Sequence, residues 1–596
     1  TEKERYLMRQ QYQWRSIVVV VVFALLGLTI VGQIVRVQTS ELRDKIMDDA
    51  QYDGYYRTFY PARGDIYDRD GHLLAGNKTV YEVGVNLRDM KNPESIALTV
   101  SVTLGLNYND TLALLKNPPL NTNVNPPQPL VYLVLKDFVS PENAAYLQEV
   151  KKSLAENYTP GGDSLAGLEF KPHLARSYPE KTIAANLLGF VTLEGRGYFG
   201  VEEKYNDLLA GVPQRMWVPS NPNRVEEIPT LPSGASLVLT IDRELQLAVE
   251  EILFRSVTST GSASGTIIVM DPKTGEILAM ASTPQLDPNQ FWQYGQVYDN
   301  AMEYNRAISQ IYEPGSVYKI FTLAAALDSG AVNANSSYLD IGYYSIGGAA
   351  IYNWDQGAWG PQNLVGCMQH SLNVCMSWLA DTMGPETFYT YMRRFGIGHP
   401  TGTDMAGEAA GRLKVPGDAD WHLVDLATNS FGQGVAVTPI QMMMAASAIA
   451  NEGKMVLPHV VRSIISNGRQ NDSSVQIIGT PISAETARLT SEILATALEQ
   501  GESLGLVPGY RIAGKTGTAQ IPAPNGLYLR DQINATFIGW GPVDDPQFMV
   551  YVWLEKPQSE DWASLVAAPV FKEVVERTVV LLDIPPDAIR REISGR

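Results

Sequence analysis

A serine and a lysine three residues apart are the first pair in this sequence whose types and spacing could do chemistry. Ser316 and Lys319 follow a Pro-Gly break and open an apolar, alanine-rich run that ends near Gly330. The run predicts a helix with Ser316 in its first turn and Lys319 one turn later on the same face. A serine hydroxyl becomes a nucleophile when a base takes its proton, and an amine at this spacing can do so. The helix N-terminus would help to keep that amine neutral.

The pair alone is a weak signal, because Ser-x-x-Lys occurs by chance in long chains and is compatible with an ordinary helix start. Two further motifs strengthen it. Ser371 and Asn373 form Ser-x-Asn downstream, and residues 515–518 read Lys-Thr-Gly-Thr after an apparent strand. Ser-x-x-Lys, Ser-x-Asn and Lys-Thr-Gly in this order are typical of penicillin-binding proteins and class A β-lactamases.

The resemblance extends over nearly the whole chain, which is similar to the class B penicillin-binding proteins, monofunctional peptidoglycan D,D-transpeptidases. The Glu-Pro-Gly-Ser lead-in to the serine is more similar to the division type than to the elongation type. The resembling blocks lie at residues 312–316, 432–434, 438–439 and 514–520 around the site, and at 63–64, 68–71, 176–179 and 197–202 in the first half.

The resemblance implies a role for each polar residue of the three motifs. Ser316 would attack the carbonyl of the penultimate D-alanine of a stem peptide, with neutral Lys319 as general base. Ser371 and Lys515 would relay a proton to the leaving amine, and Asn373 would hold Lys319 and the substrate amide. An amine from a neighbouring stem peptide would then resolve the acyl-enzyme, and β-lactam antibiotics would acylate the same serine.

The Lys-Thr-Gly-Thr segment is expected to bind substrate. Thr516 and Thr518, with Lys515, suit the terminal carboxylate, and Gly517 would let the substrate backbone lie along the strand as an added strand. By the same resemblance, the backbone N–H groups of Ser316 and Thr518 would form the oxyanion hole. No cofactor is expected, and the six scattered histidines have no metal-ligand spacing, so no metal site is predicted.

Length and composition limit the other possibilities. A chain of 596 residues predicts two or three domains, and a net charge of -18 argues against nucleic acid as a partner. On one continuous helix Cys367 and Cys375 would lie about 12 Å apart, too far to bridge, although a turn between them would permit pairing. We therefore expect no disulfide and interpret Cys375 as buried apolar filling.

An uncharged run at residues 16–35 is long enough to cross a bilayer. A buried core helix would show a polar stripe, and a cleaved signal peptide would have a shorter apolar region followed by a small-residue cleavage site. Four basic residues precede the run, at positions 3, 5, 9 and 15. They predict a single-pass cell-membrane protein with a cytoplasmic N-terminus and its catalytic domain on the outer face.

The predicted fold class is α+β. We expect a cytoplasmic tail at 1–15, a transmembrane signal anchor at 16–37, an elongated mixed α/β pedestal for dimerisation or docking at 38–231, a transpeptidase domain at 232–586 and a C-terminal tail at 587–596. The transpeptidase domain should hold one antiparallel sheet whose first and last strands meet, with helices on both faces. The individual expectations are a hairpin around 68–71, strands at 237–242, 266–270, 276–281, 510–513, 519–520, 534–540 and 547–554, and helices at 438–452, 483–499 and 569–582.

Two other functions compete with transpeptidation. A hydrolase, either a D,D-carboxypeptidase or a β-lactamase, needs a residue that activates water for deacylation. The glutamate that a class A β-lactamase uses between the second and third motifs is not identifiable in this sequence, although Glu408 lies nearby. A non-enzymatic β-lactam sensor would need a signalling module, and only about fifteen residues precede the span. No second acidic catalytic motif is found in the first half, so we expect a partner polymerase in the membrane. The resemblance to class B penicillin-binding proteins implies that this partner is a SEDS-type glycosyltransferase. Arg176 and Glu202 are expected to be structural.

Overall fold

The computed structural model describes residues 2–39, 54–121, 128–157, 159, 161–219, 231–298, 303–523, 528–560 and 562–594. The chain divides into two compact units, the first formed by Thr1–Pro61 and Val212–Pro232 and the second by Ala62–Gly211 and Ser233–Arg596. All the predicted catalytic residues lie in the second unit.

The first unit contains one long helix, Glu2–Thr39, and a strand pair, Gly54–Phe59 with Gln214–Pro219. Within the helix, the 20-residue segment Ile17–Arg36 has a mean hydropathy of 2.8, and none of its residues is buried. Its length and composition are those of a helix that crosses a bilayer, as the uncharged run predicts, and a signal sequence near the N-terminus would share them.

The second unit is organised around a five-stranded antiparallel sheet, here called the central sheet. Its first strand along the chain, Ser264–Met270, pairs with its last, so the two ends of the sheet meet in its middle. A first and a last strand that pair were predicted, but the predicted first strand was 237–242. In spatial order the strands are Ile277–Ser282, Ser264–Met270, Phe548–Glu555, Tyr528–Gly541 and Ala513–Pro522.

Helices cover both faces of the central sheet. Alternate residues of the strand Ser264–Met270 point into two separate cores, as the pleat of a strand requires. One core lies under Arg243–Thr260 and Ala563–Leu581, and the other lies under a helical body that includes Lys319–Asp328 and Pro439–Ala450. The predicted α+β architecture with helices on both faces is confirmed.

The longer helices form where their caps and apolar faces predict them. At Pro439–Ala450, Thr438 and Gln441 exchange both capping-box hydrogen bonds, as expected. In the described part of the second unit, the other α-helices of at least six residues are Pro93–Leu104, Tyr108–Lys116, Pro141–Glu156, Arg243–Thr260, Lys319–Asp328, Leu364–Gln369, Asn373–Arg394, Leu423–Ser430, Ala484–Gln500, Ala563–Leu581 and Asp587–Ser594. Shorter α-helices are Ala185–Leu188, Gly200–Lys204, Asn206–Ala210, Tyr294–Val297 and Arg306–Ser309, and 3-10 helices are Pro288–Gln293 and Gly315–Tyr318.

A second, seven-stranded sheet joins the first half of the chain to the second. Its strands are Arg469–Asp472, Val461–Ser466, Ser236–Leu239, Ile66–Tyr67, Leu73–Asn86 and Tyr132–Val139 in order, with Leu168–Ser177 also paired to Leu73–Asn86. The strand Ser236–Leu239, predicted at 237–242, pairs in this sheet and lies outside the central one. The predicted hairpin is confirmed, because Ile66–Tyr67 pairs antiparallel with Leu73–Asn86 across the Asp-Gly turn.

Short strand pairs complete the described structure. They are Leu120–Asn121 with Gln128–Pro129, Phe190–Val191 with Gly197–Tyr198, Ser337–Asp340 with Gly360–Asn363, Tyr343–Ile346 with Ala349–Tyr352, Arg412–Leu413 with Val435–Ala436, and Met455–Val456 with Ile477–Gly479. The pairs between residues 337 and 363 pack against the helices on either side of the Ser-x-Asn motif.

The buried carboxylate of Glu202 connects the sequence blocks at 63–64, 176–179 and 197–202 through hydrogen bonds. Glu202 is fully buried and accepts from Arg63 at 2.8 Å, from Arg176 at 2.7 Å and from the Tyr178 hydroxyl at 3.2 Å. The two guanidinium groups outweigh the cost of burial and hold the pKa of Glu202 below its usual value. The structural role expected for Arg176 and Glu202 is confirmed.

The observed ends of several elements differ from the predicted ones. The segments 510–513 and 519–520 were expected as two strands, whereas one strand, Ala513–Pro522, runs through both glycines of the Lys-Thr-Gly region. The helix expected at 569–582 begins six residues earlier, at Ala563, with Pro569 inside it. Residues 587–594, expected as a tail, form the helix Asp587–Ser594.

Candidate active site

The predicted nucleophile lies in a tight turn beside the edge of the central sheet. Ser316 belongs to the 3-10 turn Gly315–Tyr318, which leads into the α-helix Lys319–Asp328. Gly315 has a φ of 60°, and a β-carbon there would come within 2.8 Å of the Ala519 side chain, so the turn requires glycine. The Ser316 hydroxyl is half-buried and has no hydrogen-bond partner among the described residues.

The predicted base is fully buried and is held by the second motif. Lys319 Nζ lies 2.6 Å from the Ser371 carbonyl oxygen, 2.8 Å from Asn373 Oδ1 and 3.1 Å from Ser371 Oγ. Burial, and then the nearby charge of Lys515, lower the pKa of Lys319 well below its usual value. The amine is therefore shifted toward the neutral form that can accept a proton.

The amine of Lys319 donates in all three of its contacts, and the acceptors are uncharged oxygens of the Ser371 carbonyl, Asn373 and the Ser371 hydroxyl. A neutral amine has two N–H groups and one lone pair. It can therefore donate to two of these oxygens at a time and keep its lone pair for the proton of Ser316. A hydrogen bond between the Ser316 hydroxyl and Lys319 is not formed here, and catalytic contacts of this kind commonly tighten when substrate binds.

The Ser371–Asn373 loop is supported by a hairpin that the sequence did not single out. Asn373 donates to the Tyr352 carbonyl at 3.2 Å, and Asn353 Oδ1 accepts from the backbone N–H of Val374 at 3.3 Å. Both partners end or follow the strand Ala349–Tyr352. These contacts set the side-chain amide of Asn373 so that its oxygen faces Lys319. No local signal marks Tyr352 or Asn353, because their role comes from tertiary packing.

A disulfide brackets the same loop, and the expectation of two unpaired cysteines is wrong. Cys367 and Cys375 are bonded, with their Cα atoms 6.0 Å apart. The helix Leu364–Gln369 ends between them, and Ser371 turns the chain with a φ of 54° before the next helix begins at Asn373. The two cysteines therefore do not share one continuous helix, and the turn brings their side chains together.

The third motif lies on the outer edge strand of the central sheet. The strand Ala513–Pro522 pairs only with Tyr528–Gly541 among the described strands, so its other edge is available to an added strand. A β-carbon on Gly517 would come within 2.9 Å of Val317, which places this glycine against the turn that carries Ser316. Glycine is required at this point because turn and strand approach so closely.

The polar side chains of the edge strand differ in burial. Lys515 is buried, donates to the Thr516 carbonyl at 3.1 Å and lies 3.3 Å from the Thr516 hydroxyl. Burial lowers the pKa of Lys515 to about 8. Thr516 and Thr518 are half-buried, and the Thr518 hydroxyl accepts from the Ala563 N–H at 3.1 Å, which leaves its proton free to donate.

A glutamate that sequence analysis left without a role fixes the loop before the nucleophile. Glu313 accepts from the Gly434 N–H at 3.0 Å and from the Tyr528 hydroxyl at 2.9 Å. Burial raises the pKa of Glu313. The one sequence signal for a role of Glu313 is its position in the Glu-Pro-Gly-Ser block. Its hydrogen bond with Gly434 explains why the block at 432–434 belongs to the site.

Glu408, the glutamate considered for a hydrolase, has a structural position. One of its oxygens accepts from both the Thr401 N–H and the Thr401 hydroxyl, and the other accepts from the Gly402 N–H at 3.0 Å. Both oxygens thus cap a loop of the helical body.

The three sequence motifs converge in space. Lys319 contacts Ser371 and Asn373 directly, Lys515 is close enough to lower the pKa of Lys319, and Gly517 abuts the turn of Ser316. A serine beside a buried amine, with an open strand edge on the other side, defines a serine-type acyltransferase of the penicillin-recognising class.

Comparison with known proteins identifies the family. A model of the penicillin binding protein transpeptidase domain matches residues 265–576, and one of the penicillin-binding protein dimerisation domain matches residues 58–224. The chain is 30% identical to stage V sporulation protein D of Bacillus subtilis, over 89% of this chain and 79% of that protein. It is also 30% identical to the peptidoglycan D,D-transpeptidase FtsI of Escherichia coli, over 89% and 85% of the two chains.

Solved structures of other proteins share the fold of this chain. Penicillin binding protein 2X from Streptococcus thermophilus superposes with a TM-score of 0.71 at 23% identity, over 88% of this chain and 80% of that one. A peptidoglycan synthetase from Bifidobacterium adolescentis gives 0.67 at 25% identity, over 90% and 98%. This chain belongs to the penicillin-binding protein transpeptidase family, in its class B branch.

Proposed function

We propose that this protein is a peptidoglycan D,D-transpeptidase, which cross-links stem peptides through a serine acyl-enzyme and releases D-alanine in septal or lateral cell-wall synthesis. The observation that carries the proposal is the fully buried amine of Lys319, held by Ser371 and Asn373 one helical turn after Ser316. Relatives that bear the name D,D-transpeptidase across most of the chain support the same conclusion.

Acylation begins with proton transfer from the nucleophile. Lys319 accepts the proton of the Ser316 hydroxyl, and the oxygen attacks the carbonyl carbon of the penultimate D-alanine. The backbone N–H groups of Ser316 and Thr518 stabilise the negative oxygen that forms, a contribution worth about 10²–10³ in rate per donor in other enzymes. When the carbon–nitrogen bond breaks, the leaving D-alanine amine takes a proton relayed through Ser371 and Lys515.

The edge strand positions the donor peptide. Its free edge allows the substrate backbone to pair as an added strand along Gly517. Lys515 and the hydroxyls of Thr516 and Thr518 then receive the terminal carboxylate, and the charged form of Lys515 is the one that binds it. Asn373 shares its amide between Lys319 and the substrate.

Deacylation uses an amine instead of water. The amine nitrogen of a neighbouring stem peptide attacks the acyl carbon and forms the new amide, the bond to Ser316 Oγ breaks, and the proton lost by the nitrogen returns to that oxygen through Lys319. The structural contacts of Glu408 support transfer over a hydrolysis that would employ this residue as base.

The experiment that tests the proposed reaction supplies a donor stem peptide with and without an acceptor amine. Transpeptidation predicts that D-alanine release rises with acceptor and that an amide product accumulates. Rapid hydrolysis with no amide product, at every acceptor concentration, would instead indicate a D,D-carboxypeptidase. A protein that is acylated by penicillin but turns over neither substrate would indicate a sensor.

We further propose that the protein works at the cell membrane, with its N-terminus in the cytoplasm and residues 232–586 outside as the transpeptidase domain. The apolar segment Ile17–Arg36 and the basic residues before it support this orientation. The span and the module at 38–231 would contact a SEDS-type glycosyltransferase. Replacing the span with an unrelated one should weaken complex formation and polymerase activity; unchanged values for both would contradict this partner.

A further inference from the structure

The strand pair of the first unit, together with the residues that flank it, has a composition unlike that of the whole chain. Residues 54–61 and 212–219, here called the ribbon, contain five aromatic residues, two arginines and no aspartate or glutamate. The whole chain carries a net charge of -18. A segment that is basic and aromatic within an acidic protein favours a negatively charged partner with an apolar part.

The exposed side chains of the ribbon are large and either apolar or basic. Tyr56, Tyr60 and Val212 are 63%, 77% and 76% exposed, and Arg215 is exposed as well. Tyr56 and Arg215 are diagonal neighbours across the two strands, and the guanidinium carbon lies 5.1 Å from the centroid of the tyrosine ring. Among the described residues Arg215 forms no ion pair with a carboxylate. The ribbon therefore presents an aromatic ring beside a positive charge that no acid neutralises.

The two strands of the ribbon lack the packing that would make them stable by themselves. Gly54–Phe59 and Gln214–Pro219 pair with each other and with no third strand in the described part of the chain. A single pair of strands is marginally stable in water and becomes stable when one of its faces packs against another surface. The exposed tyrosines belong to a face that such a surface can cover.

The chain tethers the ribbon close to the proposed membrane span. The helix that contains the apolar segment ends at Thr39, and the first strand begins fifteen residues later, at Gly54. A chain of this length reaches about 50 Å when it is fully extended. The ribbon therefore stays near the bilayer whenever the apolar segment spans it, so the effective concentration of the lipid surface around the ribbon is high.

The residue types of the ribbon match the chemistry of a lipid surface. Tyrosine and tryptophan concentrate at the boundary between lipid tails and water, because their rings are apolar and their polar tips remain hydrated there. Arginine is attracted to anionic head groups, and an aspartate or glutamate in the same segment would oppose that attraction. Tether, charge and aromatic content thus select the same partner.

We propose that the ribbon lies on the outer surface of the membrane and binds anionic phospholipid head groups through Tyr56, Tyr60 and Arg215. The inference rests on the proposed membrane location and orientation, and it is independent of the transpeptidation chemistry. Contact with the bilayer holds the segment that follows the span in one orientation. It thereby limits the positions that the rest of the module at 38–231 can take.

The test places the full-length protein in vesicles of phosphatidylcholine with about one quarter phosphatidylglycerol, with no polymerase present. Thr58→Cys, at an exposed position of the ribbon, carries a fluorophore, and some of the lipids carry a nitroxide quencher on the head group. The two cysteines of the natural sequence are joined in a disulfide, so the label reacts at one site. The proposal predicts quenching that is about threefold weaker in pure phosphatidylcholine or in about 0.5 M salt.

Variants of the ribbon show whether its own side chains cause the quenching. The double change Tyr56→Ser with Tyr60→Ser, and separately Arg215→Gln, should each weaken the quenching about threefold in the anionic vesicles. Tyr146→Ser and Arg393→Gln replace an exposed tyrosine and an exposed arginine outside the ribbon, and they should leave the quenching unchanged.

Three results would overturn the proposal. The label is not quenched in the anionic vesicles, or it is quenched equally in anionic and neutral vesicles, or the ribbon variants behave like the two controls. The first result would leave the polymerase as the partner of the ribbon. Failure of the proposed membrane location is recognised separately, because the protein then does not float with the vesicles after alkaline extraction. Equal penicillin labelling of Ser316 in all variants shows that they remain folded.

Discussion

The amine of Lys319 lies 2.8 Å from Oδ1 of Asn373, a residue 54 positions further along the chain. The side-chain amide nitrogen of the same asparagine donates to the Tyr352 carbonyl. Lys319 is therefore positioned by an uncharged amide, which is itself held by an uncharged backbone carbonyl. Among the described residues Lys319 is buried without a carboxylate partner. A carboxylate would stabilise the protonated form, whereas neutral acceptors and burial favour the free amine.

Substitution of Asn373 by alanine should slow acylation without unfolding the protein. The change removes one of the acceptors that orient Lys319, and hydrogen bonds of this strength correspond to a loss of about 10- to 100-fold in rate. The measurement is the second-order rate of labelling by a fluorescent penicillin. Asn335→Ala, at an exposed loop position, is the control. An unchanged rate in Asn373→Ala would show that the asparagine does not position the base.

The pH dependence of the reaction follows from two lysines whose pKa values are lowered. Below the pKa of Lys319 the amine takes up a proton and can no longer accept one from Ser316, so acylation falls as pH decreases. Burial sets the pKa of Lys515 to about 8, and above this pH the loss of its charge weakens binding of the substrate carboxylate. The account predicts a bell-shaped profile for donor peptide.

The variant Lys515→Arg tests the alkaline side of that profile. Arginine keeps its charge at every pH of interest, so the decline above about pH 8 should disappear, at a lower overall rate because arginine is not a proton relay. An unchanged alkaline limb in Lys515→Arg would mean that another group causes it.

Replacement of both Cys367 and Cys375 by serine should destabilise the loop that carries Ser371 and Asn373. The bond closes a short loop, with a sequence separation of 8, and chain entropy assigns such a cross-link about 2–3 kcal/mol. Thermal unfolding should shift to lower temperature in the double variant. A reductant should lower the unfolding temperature of the unaltered protein toward the same value and leave that of the variant unchanged; equal behaviour of both proteins would contradict the pairing.

Breaking the buried ion network of the first half should cost more than breaking a surface pair. Glu202→Gln leaves Arg63 and Arg176 without their carboxylate in a fully buried position, which typically costs about 3–5 kcal/mol. Asp420→Asn, which removes the exposed partner of Arg412, should cost less than about 1 kcal/mol. Unfolding temperatures give the comparison, and similar shifts for the two variants would contradict a structural role for Glu202.

The proposed catalytic residues can be singled out from the sequence because each motif combines chemistry with a local structural context. Ser316 follows a Pro-Gly break before an apolar helix, and residues 515–518 follow an expected strand, which in the structure continues through them. Lys515 lies close enough to Lys319 to lower its pKa. That the three motifs form one site was predicted from the resemblance to a family, because the spacing of distant motifs in a sequence does not show that they meet in space.

The features that escaped prediction depend on tertiary contacts. The disulfide forms because Ser371 adopts a left-handed backbone conformation that separates two helices, and no sequence rule requires this of a serine. The contact of Trp354 with Trp562 joins positions far apart in the chain. Pro569 predicts a helix start because proline favours the first helical position, but buried residues from Ala563 onward extend the helix beneath the central sheet.

Labelling of the nucleophile tests the central claim most directly. The unaltered protein and Ser316→Ala are incubated with fluorescent penicillin, and the labelled peptide is identified by mass spectrometry. The account predicts a stoichiometric adduct on Ser316 in the unaltered protein and complete loss of labelling in the alanine variant, with unfolding temperatures alike. Persistent labelling of Ser316→Ala, or an adduct on another residue, would contradict the assignment of Ser316 as the acyl-accepting serine.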